Sequence, residues 1–121
     1  MNISFKQFFQ LLSDDTRLRS LMLMRQQGEL CVCELVHALG VIQPKVSRHL
    51  AALRDVGIVI DRRQGQWIYY QLHPDLPGWA RQVLDATVAE AATQQPFVRD
   101  LSVLAEMPER PGMACCIPAA H

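Results

Sequence analysis

Apolar residues recur at helical intervals along most of this chain and predict a mainly α-helical protein. An aromatic stripe predicts a first helix over residues 4–12. Before a second helix, over residues 16–27, stand three residues suited to capping: Ser13, Asp14 and Asp15. Met22 and Met24 of that helix are assigned to the core, because methionine in a helix mostly fills space between other apolar side chains.

Two shorter helices follow, joined by a tight turn, between residues 29 and 53. The first helix ends at Gly40, a residue suited to the left-handed position after a helix. The second contains Pro44 in its first turn and has a stripe of apolar residues: Val46, Leu50 and Leu53. Its other face carries hydrogen-bonding and cationic side chains: Gln43, Lys45, Ser47 and Arg48. Such a pair is typical of a helix-turn-helix that reads the major groove, so these four residues are predicted to contact DNA.

Runs of β-branched and aromatic residues at 58–62 and 67–72 flank a short polar loop, residues 63–66, and predict a β-hairpin. A hairpin directly after a helix-turn-helix is a wing. Three of its side chains are predicted to contact DNA, mainly at phosphate: Arg62, Arg63 and Gln66. The predicted fold is therefore mainly α with a small β-hairpin wing, a winged helix-turn-helix.

Composition fits a soluble globular protein, since half of the 121 residues are apolar and a fifth are charged. The net charge is zero, but residues 41–73 hold five basic and two acidic side chains, so the segment predicted to touch DNA is positive. Charge clustering alone favours an ordinary solvated face. No apolar run is long enough to span a membrane and no signal peptide is apparent, so we expect a cytoplasmic protein.

A longer helix is predicted over residues 76–93, and its apolar stripe, with that of the first helix, exceeds what one small core needs. We therefore expect a homodimer, with these residues at the dimer contact: Phe5, Phe8, Leu76, Trp79 and Val83. The division predicted is a DNA-binding and dimerisation domain, residues 1–95, and a partly mobile extension, residues 96–121. The extension is predicted to contain a weak helix, Phe97–Ala105, and the pair Cys115 and Cys116.

Cys31 and Cys33 are separated by one residue at the entrance to the helix-turn-helix. Cytosolic thiols stay reduced, so these cysteines indicate metal binding or redox chemistry before disulfides. In an α-helix residues two apart point about 200° away from each other. Binding of one ion by both thiols is thus expected to need an extended or unwound backbone there, which opposes the helix. The alternative is that either cysteine is a small core residue, although the place before a helix-turn-helix favours ligation.

The segments ELCVCEL and QPKVSRHL, with the wing that follows, resemble the ArsR/SmtB family of winged-helix metalloregulatory repressors, and ELCVCEL resembles its arsenic-responsive branch. The resemblance extends from about Phe8 to Leu84. It implies a dimeric repressor that binds double-stranded operator DNA and leaves it when As(III) or Sb(III) binds cysteine thiolates. The branch often has a third cysteine where this chain has Val36, so the third ligand must come from elsewhere or be absent.

Cys115 and Cys116 are the candidates for further ligands, in the same site or in one of their own. The long helix lacks the spaced Asp, His and Glu pairs by which zinc-sensing relatives are recognised. A repressor responsive to Cd(II) or Pb(II), and a thiol-based redox regulator on the same scaffold, remain alternatives. An enzyme is not expected, because no residue set pairs a nucleophile with a base.

Overall fold

The structure, a computed structural model, describes residues 2–108 and 110. In this part of the chain six helices surround a small three-stranded sheet. In chain order the elements are α1 Phe5–Leu12, α2 Asp15–Gln27, β1 Leu30–Cys31, α3 Val32–Leu39, α4 Gln43–Val56, β2 Val59–Gln64, β3 Trp67–Leu72, α5 Gly78–Ala91 and α6 Phe97–Ala105. The mainly helical fold with a hairpin wing is confirmed. No helix in the described part is long and apolar enough to cross a membrane.

The helix ends follow from capping residues. The Asp14 side chain accepts a hydrogen bond of 3.0 Å from the Arg17 N–H, so α2 begins at Asp15, one residue earlier than predicted. Gly40 ends α3 with φ of 66°, a left-handed conformation that glycine adopts without strain. Helix α5 is shorter than predicted and begins at Gly78, because Pro77 holds the extended N-cap conformation.

The sheet has the order β1-β3-β2, and all its strands are antiparallel. Pairing of Gln64 with Trp67 leaves a two-residue turn, so Arg63 lies in a strand and not in the predicted loop. Strand β1 was not predicted, because two residues are too few to show a periodic pattern. It pairs Leu30 with Tyr70 and Cys31 with Tyr69, and so fixes the first cysteine against the wing.

The core lies between α2, α3, α4 and the C-terminal helices. The predicted stripe of α4 is buried, as are Met22 and Met24. Helix α6 has the predicted bounds and packs against α2 and α3. Its Asp100 is buried and accepts hydrogen bonds of 2.7 and 2.6 Å from Arg19. This ion pair ties α6 to the helical core.

Candidate functional site

The two thiols of the Cys-x-Cys sequence are already together. Sγ of Cys33 lies 3.1 Å from Sγ of Cys31. Cys31 is the N-cap of α3 with φ of −75° and ψ of 151°, and only Cys33 lies in the helix. The extended backbone that convergence of the thiols was expected to need is present at Cys31, where it is the normal N-cap conformation, and the effect of a bound ion on the helix stays a prediction. Both sulfurs can face one ion without unwinding α3.

The two thiols differ in pKa. The Cys33 S–H donates to the Cys31 sulfur, and this hydrogen bond lowers the pKa of Cys31 and raises the pKa of Cys33. Burial raises both pKa values, whereas the backbone N–H groups of Cys33 and Ile68 stabilise the Cys31 thiolate. Cys31 therefore loses its proton at a lower pH than Cys33. The thiolate is the form of cysteine that binds metals and attacks electrophiles.

The thiol pair opens into a cleft of about 340 Å³. Three elements contribute to its walls: the start of α3, the exposed face of α4 and the wing. The lining residues are Cys31, Val32, Cys33, Gln43, Ser47, Gln66, Trp67 and Ile68. Cys31 is buried and clusters with Trp67 and Tyr69 of β3. The cleft thus places the thiols near the predicted DNA-contact residues Gln43 and Ser47 and near the wing.

Glu34 connects the thiol pair to the C-terminal part of the chain. One of its carboxylate oxygens accepts a hydrogen bond of 2.8 Å from the Cys31 N–H, as in a capping box. The other accepts a hydrogen bond of 2.6 Å from Arg110. Sequence spacing gives a signal for Glu34, three residues after its N-cap, but none for Arg110. Cys115 and Cys116 lie outside the described residues. Within the described part, no group of three or more His, Cys, Asp or Glu side chains is placed to hold a metal ion.

The face of α4 predicted to contact DNA points away from the core. Gln43, Lys45 and Arg48 are exposed and Ser47 is half-buried. His49, at the edge of this face, is held by a contact of 2.9 Å between its Nδ1 and Nη1 of Arg17. Arginine can only donate, so Nδ1 accepts and the imidazole is neutral.

The three predicted wing contacts have different surroundings. Arg63 is exposed on β2, and Gln66 lies in the exposed turn. Arg62 already has partners in its own chain, because it donates hydrogen bonds to the Glu29 carboxylate and its guanidinium lies 4.4 Å from the centre of the Tyr69 ring.

The residues predicted for the dimer contact divide into two groups. Phe8 and Leu76 are covered by their own chain, which leaves them no surface for a partner and corrects their assignment. Phe5 is exposed and Trp79 and Val83 are half-buried. Phe9, which was not among the residues predicted for the dimer contact, is 51% exposed. The Phe5 and Phe9 rings lie 4.7 and 6.5 Å from the Trp79 ring, so they form one aromatic patch on α1 and α5.

The chain is similar to known bacterial transcriptional regulators in sequence and in fold. The family described as bacterial regulatory protein, arsR family, matches residues 14–61. An arsenic resistance transcriptional regulator of Pseudomonas putida, ArsR1, is 54% identical over 103 residues, which cover 85% of this chain and 79% of that protein. The arsenical resistance operon repressor of Escherichia coli is 47% identical over 97 residues, or 79% and 83% of the two chains. The crystal structure of the antimony-specific transcriptional repressor AntR is similar, with a TM-score of 0.58, 32% identity and coverage of 72% and 78%.

Proposed function

Since this chain belongs to the arsR family of bacterial regulatory proteins, we propose that it is a metalloid-responsive repressor of the cytoplasm. It binds double-stranded operator DNA as a homodimer and leaves that DNA when As(III) or Sb(III) binds Cys31 and Cys33. The observation that supports this proposal is the cleft between α3, α4 and the wing, in which the two thiols lie near Gln43 and Ser47 of α4 and Trp67 of the wing. The proposed sensor and the proposed DNA contacts are therefore neighbours within one chain.

The chemistry of the donor set suits a soft, sulfur-seeking ligand. Sulfur donors select soft metals, whereas carboxylate oxygens suit hard cations. Arsenous acid carries hydroxyl groups that thiols replace. Each replacement breaks one As–O bond, forms one As–S bond and releases one water, with the thiol proton leaving in that water and no change of oxidation state. Cys31, which has the lower pKa, loses its proton first and starts the exchange, and Cys33 follows; the proton of each thiol leaves in the water that its replacement releases.

A third sulfur for arsenic is proposed to come from Cys115 or Cys116. The support is the position of Arg110, which donates to Glu34 beside the thiol pair. Cys115 follows Arg110 by five residues, and five residues of extended chain reach about 17 Å. A segment tethered at such a distance presents its thiols at high effective concentration without a separate binding event.

Release of DNA is proposed to follow from movement between α4 and the wing. A ligand bound to the thiols lies in the cleft that these two elements share. Its binding therefore favours conformations in which the cleft is wider. A change in the angle between α4 and the wing would misalign their contacts with the groove and the phosphates. In this mechanism α3 keeps its helical hydrogen bonds.

The dimer is proposed to form through the aromatic patch of Phe5, Phe9 and Trp79. A two-fold dimer of this kind binds near-palindromic DNA with half-sites about 34–36 Å apart, or a multiple of that spacing. Each copy then places one α4 in the major groove.

Anisotropy of a labelled operator duplex, titrated with arsenite, tests the proposal. The wild-type protein should release the duplex, and Cys33→Ser should bind it equally well but stay bound. His37→Ala is the matched control, because His37 is exposed on the same helix and should not alter release. Release of Cys33→Ser at the wild-type arsenite concentration would contradict the proposal. Release by peroxide alone would instead assign the thiol pair to redox sensing.

A further inference from the structure

Ile42 is the most exposed large apolar side chain in the described part of the protein, at 71%. Single exposed apolar residues are common on protein surfaces, and Val98 on α6, at 39%, is one. Phe5 and Phe9 belong to the aromatic patch. Ile42 differs from all three because it is the N-cap residue of α4, immediately before Gln43.

Isoleucine is a poor choice for an N-cap. The preferred residues have a short polar side chain that accepts a backbone hydrogen bond, and Ile42 makes no such bond. The backbone supplies the cap instead, since the Ile42 carbonyl accepts from the N–H groups of Lys45 and Val46, each at 3.1 Å. Pro44, which precedes Lys45, has no N–H group that needs a hydrogen-bond acceptor. The Ile42 side chain therefore neither caps the helix nor enters the core.

The surroundings of Ile42 are those of a DNA-reading surface. Gln43 and Lys45, which follow it, are exposed on the same turn. In a helix-turn-helix the N-terminal residues of the second helix contact base edges in the major groove. The apolar group that a base pair presents there is the C5-methyl of thymine, and its usual partners are apolar side chains.

We propose that Ile42 determines sequence specificity by contacting the methyl group of one thymine in each half-site. The inference rests on the proposed entry of α4 into the major groove. It adds an apolar contact to a set of residues that otherwise reads DNA by hydrogen bonds and charge. Removal of the Ile42 contact should change which base is preferred at one position and leave affinity at the other positions as it was.

Thymine and uracil differ only by the methyl group, so uracil substitution tests the contact directly. The probe is the tightest duplex recovered by selection from a random library with the full-length protein. Each thymine is replaced in turn by deoxyuridine. For the wild-type protein, replacement at one symmetric pair of positions should raise the dissociation constant roughly four-fold per methyl group.

Ile42→Ala and Ile42→Ser should bind the uracil and thymine duplexes equally well, and Ile42→Val should keep part of the discrimination. The serine variant separates reading from capping, because serine improves the cap and lacks the apolar contact. Val98→Ala is the control and should give the wild-type scan. A wild-type scan without a sensitive thymine, or a sensitivity that persists in Ile42→Ala and Ile42→Ser, overturns the inference.

The same duplex tests the underlying helix assignment separately. The double variant Ser47→Ala, Arg48→Ala should lose specific binding while remaining folded by circular dichroism. Retained affinity in that double variant refutes the placement of α4 in the groove. A uracil-insensitive wild-type protein together with a double variant that no longer binds refutes only the role of Ile42.

Discussion

The guanidinium of Arg62 meets the carboxylate of Glu29 through two hydrogen bonds, of 2.8 and 2.7 Å. Glu29 directly precedes β1, which ends at Cys31, and Arg62 covers the Tyr69 ring that pairs with Cys31 across the sheet. Arg62 thus joins the wing to the strand that carries the first thiol. Because its charge is already paired, it is less available to phosphate than the exposed Arg63 beside it.

Separate removal of the two arginines should therefore have different effects on DNA binding. Arg63→Ala should flatten the dependence of log Kd on log salt by roughly one unit for each lost phosphate contact, for all sequences alike. Arg62→Ala should change the slope less, and it should make release by arsenite less sensitive. Glu29→Gln, which frees Arg62, should steepen the slope. Equal slopes for Arg62→Ala and Arg63→Ala would show that Glu29 does not withhold Arg62 from DNA.

The Arg19–Asp100 pair predicts a large effect on stability far from the DNA surface. Both residues are buried, and Arg19 also donates a hydrogen bond of 3.2 Å to the Leu39 carbonyl at the end of α3. Asp100→Ala leaves a buried guanidinium without its buried carboxylate partner and should lower the free energy of unfolding by about 3–5 kcal/mol. Urea denaturation measures this. The double variant Arg19→Met, Asp100→Leu should recover most of the loss, and Asp15→Ala, at an exposed partner of Arg19, should cost little.

Helix positions were predictable because their causes are local. The stripe of Val46, Leu50 and Leu53 and the terminal Gly40 both act within a few residues, so the sequence displays them directly. The Cys-x-Cys pair was recognisable for the same reason. Its geometry was not, because the start of the helix was not predicted to the residue, whereas pairing with Tyr69 holds Cys31 in a strand.

The unpredicted side-chain contacts join distant parts of the chain. Arg110 is 76 residues from Glu34, and Asp100 is 81 residues from Arg19. Neither pair has a periodic or motif signal. The cleft combines side chains from α3, α4 and β3, so it exists only in the folded chain. Phe8 and Phe9 show the same limit, since spacing placed both on one stripe but only tertiary packing decides which one is covered.

His49 predicts a dependence of stability on pH. Burial lowers the pKa of His49 from its usual 6.5, although the nearby Asp14 carboxylate opposes this. In the unfolded chain His49 takes up a proton at higher pH than in the folded protein, so protonation favours unfolding. The contribution of His49 to the free energy of unfolding is fully present above about pH 6.5 and declines as the pH falls below that value. Urea midpoints at pH 7 and pH 5 should differ less in His49→Gln than in wild type. An unchanged difference would assign the pH effect to other groups.

Val36 predicts a gain of function. It lies three residues after Cys33, so both side chains belong to the same face of α3, and Val36 is half-buried against the core. In the full-length variant Cys115→Ser, Cys116→Ser the proposed third sulfur is missing, and arsenite should bind about ten-fold more weakly or worse. Adding Val36→Cys to that variant places a thiol one turn from Cys33 and should restore much of the affinity. Val36→Ala in the same background matches the loss of volume without a thiol and should restore none. Isothermal titration with arsenite distinguishes these cases. If the two serine substitutions leave arsenite affinity unchanged, Cys31 and Cys33 suffice, and Val36→Cys should then add nothing.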